Sequence, residues 1–566
     1  MNMKKKTLLL SALTLATLSL ASCQMLSDIV DGIVSEQPGT TSFSQTVASS
    51  KEPIVDISTP PADDITANKA SKTYMDFIKN NAYPLSSTPC DGEAKLLIIP
   101  VWFTDSSKYV KEENMANVKQ DIHDAYFGDA ATTGWNSVKT YYETESFGAL
   151  TIDGTVSDWY EPNKSSTYYG SDPASDTSGA PKTSSLVESA TEWYFSNHTS
   201  EKRKDYDCDG DGYLDGVMLI YAAPDYATLN NQNYSNLWAY CYWIQDYDEQ
   251  NVSNPGVNAF FWASYDFMYG REVASSRTGT RYYAGDTSHC TIDAHTYIHE
   301  MGHMFGLEDY YDYSENSYSP AGGFSMQDYN VGSHDPFSSF ALGWGKAYIP
   351  TDSANINLKP FATSGEMILL SPNWNSYNSP FDEYLLLEYY TDEGLNSLDT
   401  TYGYMSQYGK SYPMGAKDVG IRVWHVDARL LYTITGTFSA NKMTTNPSYS
   451  SGRVVLATSN TYNDNTEETL PYLSPLAQDP SSSGYNKQFA EYDLLHLIRK
   501  KVTSTRKTKE LFSSTALFKK GDTFSMADYG RQFVNTGKLD SGEELEFTFE
   551  VNACNNEYAS ITVKKL

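Results

Sequence analysis

The pattern of apolar and polar positions changes character three times along the chain. An apolar run from Leu8 to Ala21, preceded by Lys4, Lys5 and Lys6, is short for a bilayer span and has the layout of a secretory signal. Residues 24–88 then carry few apolar positions among Ser, Thr, Pro and Asp, as in Ser58-Thr59-Pro60-Pro61-Ala62-Asp63-Asp64. Such a stretch buries little and predicts a tether, with a weakly helical pattern from Lys69 to Lys79 that suits the remnant of a pro-segment. From Ala94 the pattern becomes that of a folded domain. Leu96 to Phe103 is nearly all apolar and predicts a buried strand whose Pro100 marks an edge or an end. Helices are predicted over Asn114–Tyr126, Trp135–Tyr142 and Thr183–Asn197, and strands over Gly148–Val156 and Gly216–Ala222. Strand, helices, strand, helix is an α/β order.

Beyond Pro350 the runs shorten. Ile368–Leu370, Tyr384–Tyr390, Ile421–Val426, Val454–Ala457 and Leu545–Val551 alternate with Gly-, Ser-, Asn- and Asp-rich turns, which predicts a mostly β region. Glu491–Lys500 is the one stretch there that reads as a helix. The expected organisation is therefore a signal at 1–22, a tether and possible pro-segment at 23–90, a mixed α/β domain at 91–349 and a β-rich region at 350–566. A chain of 566 residues has room for these cores. Trp238–Trp243 and Phe260–Met268 are aromatic-rich and expected in the core.

Charge narrows the partners. Lys+Arg 41 against Asp+Glu 71 gives a net charge of −30 with no long basic run, which argues against nucleic acid and suits solubility and calcium binding.

The chemistry concentrates in His295-Thr296-Tyr297-Ile298-His299-Glu300-Met301-Gly302-His303-Met304-Phe305-Gly306-Leu307-Glu308-Asp309. His299 and His303 are four residues apart, so on a helix they share a face and can grip one ion. With Glu300 they form H-E-x-x-H, in which two His hold zinc and the Glu carries protons for the attacking water. Gly306 can take the left-handed conformation that ends the helix and returns the chain. Asp309 would then supply a third ligand, with Asp312 and Glu308 near enough to compete. His295 is in helical register but about 12 Å along the axis from His303, too far to share the ion.

A second cluster is Asp207-Cys208-Asp209-Gly210-Asp211-Gly212-Tyr213-Leu214-Asp215. Acids at positions one, three, five and nine, Gly at six and a backbone carbonyl from Tyr213 at seven make most of a calcium loop. Met218 stands where an EF-hand has its bidentate Glu, so a complete EF-hand is excluded. Further on, Gly322-Gly323-Phe324-Ser325-Met326 places a Met in a Gly-rich turn. Tyr329 is a possible oxyanion partner but suits packing better, and His334 and His425 sit in patterns that suit structural roles.

Two resemblances follow from these residues. Leu20-Ala21-Ser22-Cys23 resembles the lipobox of bacterial lipoproteins, which implies cleavage before Cys23 and lipidation of its thiol. Gln24, in place of the Asp that retains such proteins at the inner membrane, implies the outer membrane or cell surface. Lipidation would leave five of the six cysteines, too few and too odd in number for a disulfide framework. The second resemblance is to the immune inhibitor A type of secreted bacterial metallopeptidases, related to the metzincins. It is carried by Tyr141-Tyr142-Glu143-Thr144-Glu145-Ser146-Phe147-Gly148, the Asp207–Asp215 loop, the zinc helix, the Met326 turn and Ala341-Leu342-Gly343-Trp344-Gly345, and by Glu383–Glu388 and Gly420–Asp427. It implies a metzincin-like α/β or α+β peptidase domain, zinc at His299, His303 and Asp309, a structural Met-turn at Met326 and protein or peptide substrates. It departs from the metzincin pattern at Asp309, where that pattern has His. An adhesion or glycan-binding lipoprotein on an inactive scaffold is the reading from another class, and intact His299, Glu300 and His303 weigh against it.

Overall fold

A computed structural model describes residues 88–566 except 172–181, 245–249, 270, 273–291, 308, 312–319, 330, 375–381, 401–403, 406–413, 430, 435–441, 445–452, 457–493, 502–512 and 534. Expectations for the signal, Cys23, the tether and Lys69–Lys79, and for Glu308 and Asp312, lie outside these residues.

The first sheet contains β1 (Gly92–Val101), β2 (Leu150–Val156), β3 (Gly216–Tyr221), β4 (Tyr240–Trp243) and β5 (Ala259–Ser264) in the order β2-β1-β3-β5-β4. The first four strands of that order run parallel and β4 closes the edge antiparallel to β5. The apolar run of β1 is central because both its faces are covered, and Pro100 stands one residue from its end. Helices α1 (Met115–Phe127), α2 (Val138–Glu145) and α3 (Lys182–Asn197) fall where helical periodicity predicts them. The second starts three residues later than its apolar pattern does. Ser137 caps it reciprocally with Thr140, which leaves Trp135 in the preceding turn. Helix α4 (His295–Met304) packs on β4, β5 and α2. The result is the mixed α/β domain expected from the sequence.

A second sheet contains β6 (Lys346–Tyr348), β7 (Glu366–Leu370), β8 (Glu383–Tyr390), β9 (Gly420–Asp427) and β10 (Leu495–Ile498) in the order β10-β9-β8-β7-β6. It is antiparallel apart from the β6–β7 pair. Both faces are buried. Leu369, Leu386, Trp424, Val426, Leu495 and Leu497 join the core of the first sheet and its helices, while Ile368, Leu370, Leu385, Leu387, Val423 and Ile498 join a second core. A four-stranded antiparallel sheet that includes Phe547–Cys554 and Ala559–Lys565 closes that second core.

The helix expected at Glu491–Lys500 is corrected: Leu495–Ile498 is a strand paired with β9, His425 opposite His496. A strand buried on both faces loses the alternation that distinguishes it, and four apolar residues in a row fit a helix equally well.

Candidate metal centre

The last turn of α4 builds the site. Gly306 takes φ +94°, its N–H donates to the His303 carbonyl at 2.8 Å and the Leu307 N–H donates to the Gly302 carbonyl at 3.1 Å. This is a Schellman ending, which needs the left-handed residue that glycine supplies. The returned chain does two things. It brings the Leu307 carbonyl to Nδ1 of His303 at 2.8 Å, and it carries Asp309 back over the helix face. Tyr310 N–H then donates to the Gln327 carbonyl at 2.8 Å, which ties this strap to the turn containing Met326.

That turn orients the other imidazole. The Met326 carbonyl accepts from Nδ1 of His299 at 2.7 Å. Both Nδ1 atoms therefore carry their protons toward backbone carbonyls, and both Nε2 lone pairs point into the same space. Nε2 of His299 lies 3.2 Å from Nε2 of His303, and Asp309 Oδ1 lies 2.9 and 3.2 Å from them. Three atoms held by one tetrahedral zinc at about 2.0–2.2 Å would stand roughly 3.3 Å apart, so the donor set fits that ion. Two nitrogen lone pairs and a buried carboxylate also demand a cation, either protons or a metal. Burial by itself disfavours the charged form of His303, yet Asp309 overrides it and pushes the pKa up to about 10. Burial also works against the Asp309 carboxylate, and the two imidazoles hold it well below the ordinary range.

His299 and Asp309 are buried, whereas the His303 side chain is 14 % exposed, so the centre meets solvent on the His303 side. Glu300 is buried beside it, within electrostatic reach of His303, and its carbonyl accepts from the Cys241 thiol of edge strand β4. Gly302 is where Gln327 passes closest: a Cβ there would lie 2.2 Å from Gln327 Oε1. These backbone and amide partners leave no mark in a single sequence, because a carbonyl acceptor has no residue identity. Tyr142 is different. Its segment stood out in the sequence without a role, and its hydroxyl donates to the Ile298 carbonyl at 2.6 Å, directly under the zinc-motif turn.

The remaining expected residues fall as follows. His295 is 2.7 Å from Asp293 and 3.3 Å from Asp399, away from the metal centre. Tyr329 is buried, and burial raises its phenol pKa. His334 is buried with Nε2 3.3 Å from the Tyr142 hydroxyl, and burial lowers its pKa to about 3. His425 pairs with Glu383 at 2.7 Å inside the second sheet region. In the Asp-rich loop, carboxylate oxygens of Asp207, Asp209 and Asp215 come within 4.8 Å of one another. Asp211 is not in that group; its Oδ1 accepts the Tyr213 N–H at 2.8 Å. Asp215 accepts from Cys208 N–H and from Lys95 N–H, which fixes the loop to β1. Cys208, Cys241 and Cys554 are free thiols among the described residues.

Comparison with known proteins points to metallopeptidases. The pre-pro-metalloprotease PrtV of two Vibrio cholerae serotype O1 strains is 26 % identical over 216 residues, covering 33 % of this chain and 21 % of each relative. The chain thus spans about a fifth of the length of the curated relatives it matches. The model of the immune inhibitor A peptidase M6 catalytic domain matches residues 93–330, which contain β1 from its second residue, β2 to β5, α4 and the Met326 turn. Over residues 93–330 the chain is thus similar to the catalytic domain of the immune inhibitor A (M6) peptidases.

Proposed function

We propose that this chain is a zinc-dependent endopeptidase, with Glu300 as its proton carrier, exported and anchored to the outer membrane or cell surface through a lipid on Cys23. The observation that carries the catalytic reading is the convergence of His299 Nε2, His303 Nε2 and Asp309 Oδ1 beside Glu300. When bound, zinc polarises a scissile carbonyl and lowers the pKa of water to about 7. The chain's residues do the rest. Met326 and Leu307 carbonyls hold the two imidazoles in their metal-binding tautomer. Glu300 takes the proton of the attacking water and delivers it to the leaving amine. β4, the outermost described strand of the first sheet, brings the Cys241 thiol to the Glu300 carbonyl and so fixes the motif turn against the sheet.

The anchoring reading is supported by the apolar run ending in Leu20-Ala21-Ser22-Cys23. Calcium in the Asp207–Asp215 loop is supported by the three converging carboxylates and by Asp207 Oδ1, buried without a hydrogen-bond partner.

The test is a casein digest by the full chain with and without a zinc chelator, beside Glu300→Ala. Chelation should abolish cleavage, and Glu300→Ala should reduce it roughly 10²–10⁴-fold with zinc still bound. Near-normal cleavage by the variant would sink the assignment of Glu300, chelator-insensitive cleavage would refute the zinc dependence, and absent cleavage would favour the adhesion reading. Metabolic labelling with palmitate, lost in Cys23→Ser, tests the anchor; an unlabelled wild type would refute it.

A further inference from the structure

A buried carboxylate from beyond the family-matched segment touches both limbs of the metal centre. Asp399 is 1 % exposed and lies far along the chain from residue 330, where the match ends. Its Oδ1 is 3.3 Å from Nε2 of His295, the first residue of α4. Its Oδ2 accepts the Gly332 N–H at 2.7 Å, on the chain leaving the Met326 turn. Each contact is braced in turn. The His295 ring stacks on Trp135 with centroids 3.9 Å apart and planes 16° apart, and its Nδ1 lies 2.7 Å from Asp293. The Gly332 carbonyl accepts from the Tyr141 hydroxyl at 3.0 Å, and the Ser333 N–H donates to Asn396 at 3.1 Å.

Burial by itself would neutralise His295, but Asp293 and Asp399 outweigh it and raise its pKa to about 9. The ring is thus a cation at neutral pH, the counter-charge that two buried carboxylates require. Asp293 Oδ1 also accepts the His295 N–H at 3.1 Å and so caps the helix from outside it. The first turn of α4 is therefore anchored by charge and hydrogen bonds, and the same Asp399 that anchors it holds the limb whose Met326 carbonyl orients His299.

We propose that Asp399 is a positioning residue of the catalytic unit: its carboxylate fixes the first turn of the zinc helix to the limb leaving Met326, and so sets where Glu300 and the ligands stand. The inference rests on the zinc peptidase reading. Its physical basis is that a catalytic group displaced by about 1 Å loses on the order of 10²-fold in rate.

The experiment uses the full chain carrying Asp399→Asn, which keeps the shape and removes the charge, and His295→Gln as a second variant. Bound zinc per chain, circular dichroism, kcat and KM on a fluorogenic peptide, and the visible spectrum of the Co²⁺-substituted protein are measured. Expected for each variant are wild-type dichroism, a kcat per zinc-loaded chain lower by about tenfold or more, a KM within about twofold of wild type, and a shifted Co²⁺ spectrum. The double variant should lose little more than either single one, because the pair acts as a unit. Wild-type kcat and an unshifted Co²⁺ spectrum in folded Asp399→Asn would overturn the proposal, as would a rate loss that only tracks the unfolded fraction. If the unaltered chain cleaves nothing in a chelator-sensitive way, the peptidase reading fails, and the Co²⁺ spectrum alone still decides the positioning.

Discussion

Gly302 has no chemistry of its own, yet it leaves the room that the Gln327 side-chain amide fills against the helix of the H-E-x-x-H motif. A methyl group there would meet Gln327 Oε1 at 2.2 Å and Gln327 Cδ at 2.7 Å. Gln327 also lies 3.4 Å from Nδ1 of His303 through its amide nitrogen. Gly302→Ala should therefore displace that amide and loosen His303, destabilising the fold by about 1–3 kcal/mol and weakening zinc binding. Zinc titration against a competing chelator checks it. Adding Gln327→Ala to the same chain should restore part of the lost affinity, and unchanged affinity in Gly302→Ala alone would remove the argument. At this scale His299, Glu300 and His303 were legible in the sequence because one helix sets their spacing. Gly302, Gln327 and the Leu307 and Met326 carbonyls were not, since their roles depend on a loop far along the chain.

Among the elements, the Asp207–Asp215 loop shows how far a motif carries. Its spacing implied five ligands, and the fold draws together the carboxylates of Asp207, Asp209 and Asp215, while Asp211 engages the Tyr213 N–H. Burial raises the pKa of Asp211 and of Asp215 to about 7, with the Asp209 charge adding to both. Both folded values exceed the unfolded carboxylate value of about 3.9, so these groups stabilise the fold fully below that pH, and the stabilisation is lost as pH rises through about 7. Calcium would replace the departing protons. At pH 8 a calcium concentration of about 100 times Kd should stabilise the chain by about 2.7 kcal/mol, and the gain should shrink toward pH 5. Thermal melts at the two pH values measure it; Asp209→Asn should reduce the gain at pH 8. Identical melts with and without calcium at pH 8 would dispose of the site. Leu495–Ile498 marks the opposite limit. No local signal separates a doubly buried strand from a helix turn, because the information sits in β9, its partner.

For the molecule as a whole, one buried histidine links the second sheet to the segment that leads into the closing sheet. His425 on β9 pairs with Glu383 on β8 at 2.7 Å, and Glu383 also accepts the N–H groups of Asp540 and Ser541. Burial works against the His425 charge, but Asp540 and Glu383 override it and hold the pKa at about 9. The folded value lies above the unfolded value of about 6.5. Its stabilisation is therefore complete below about pH 6.5 and is lost as pH rises through about 9, a swing on the order of a few kcal/mol. Melting temperature should fall between pH 7 and 10 more steeply than in His425→Gln, and parallel profiles would contradict the linkage. The mixed first half and the β-rich second half were legible in the apolar pattern. How they meet was not, because alternation tells which strand faces are buried and never against what.

They meet across β7 to β10, whose two faces belong to two cores. Such a sheet is a party wall: neither room stands once it is removed. The matched segment 93–330 stops before that wall begins at β6, so on its own it would expose the apolar side chains that Leu386, Trp424 and Leu497 now cover. The β-rich half is thus part of the same core as the matched segment, and a chain cut after residue 330 should lose solubility and fold cooperativity together.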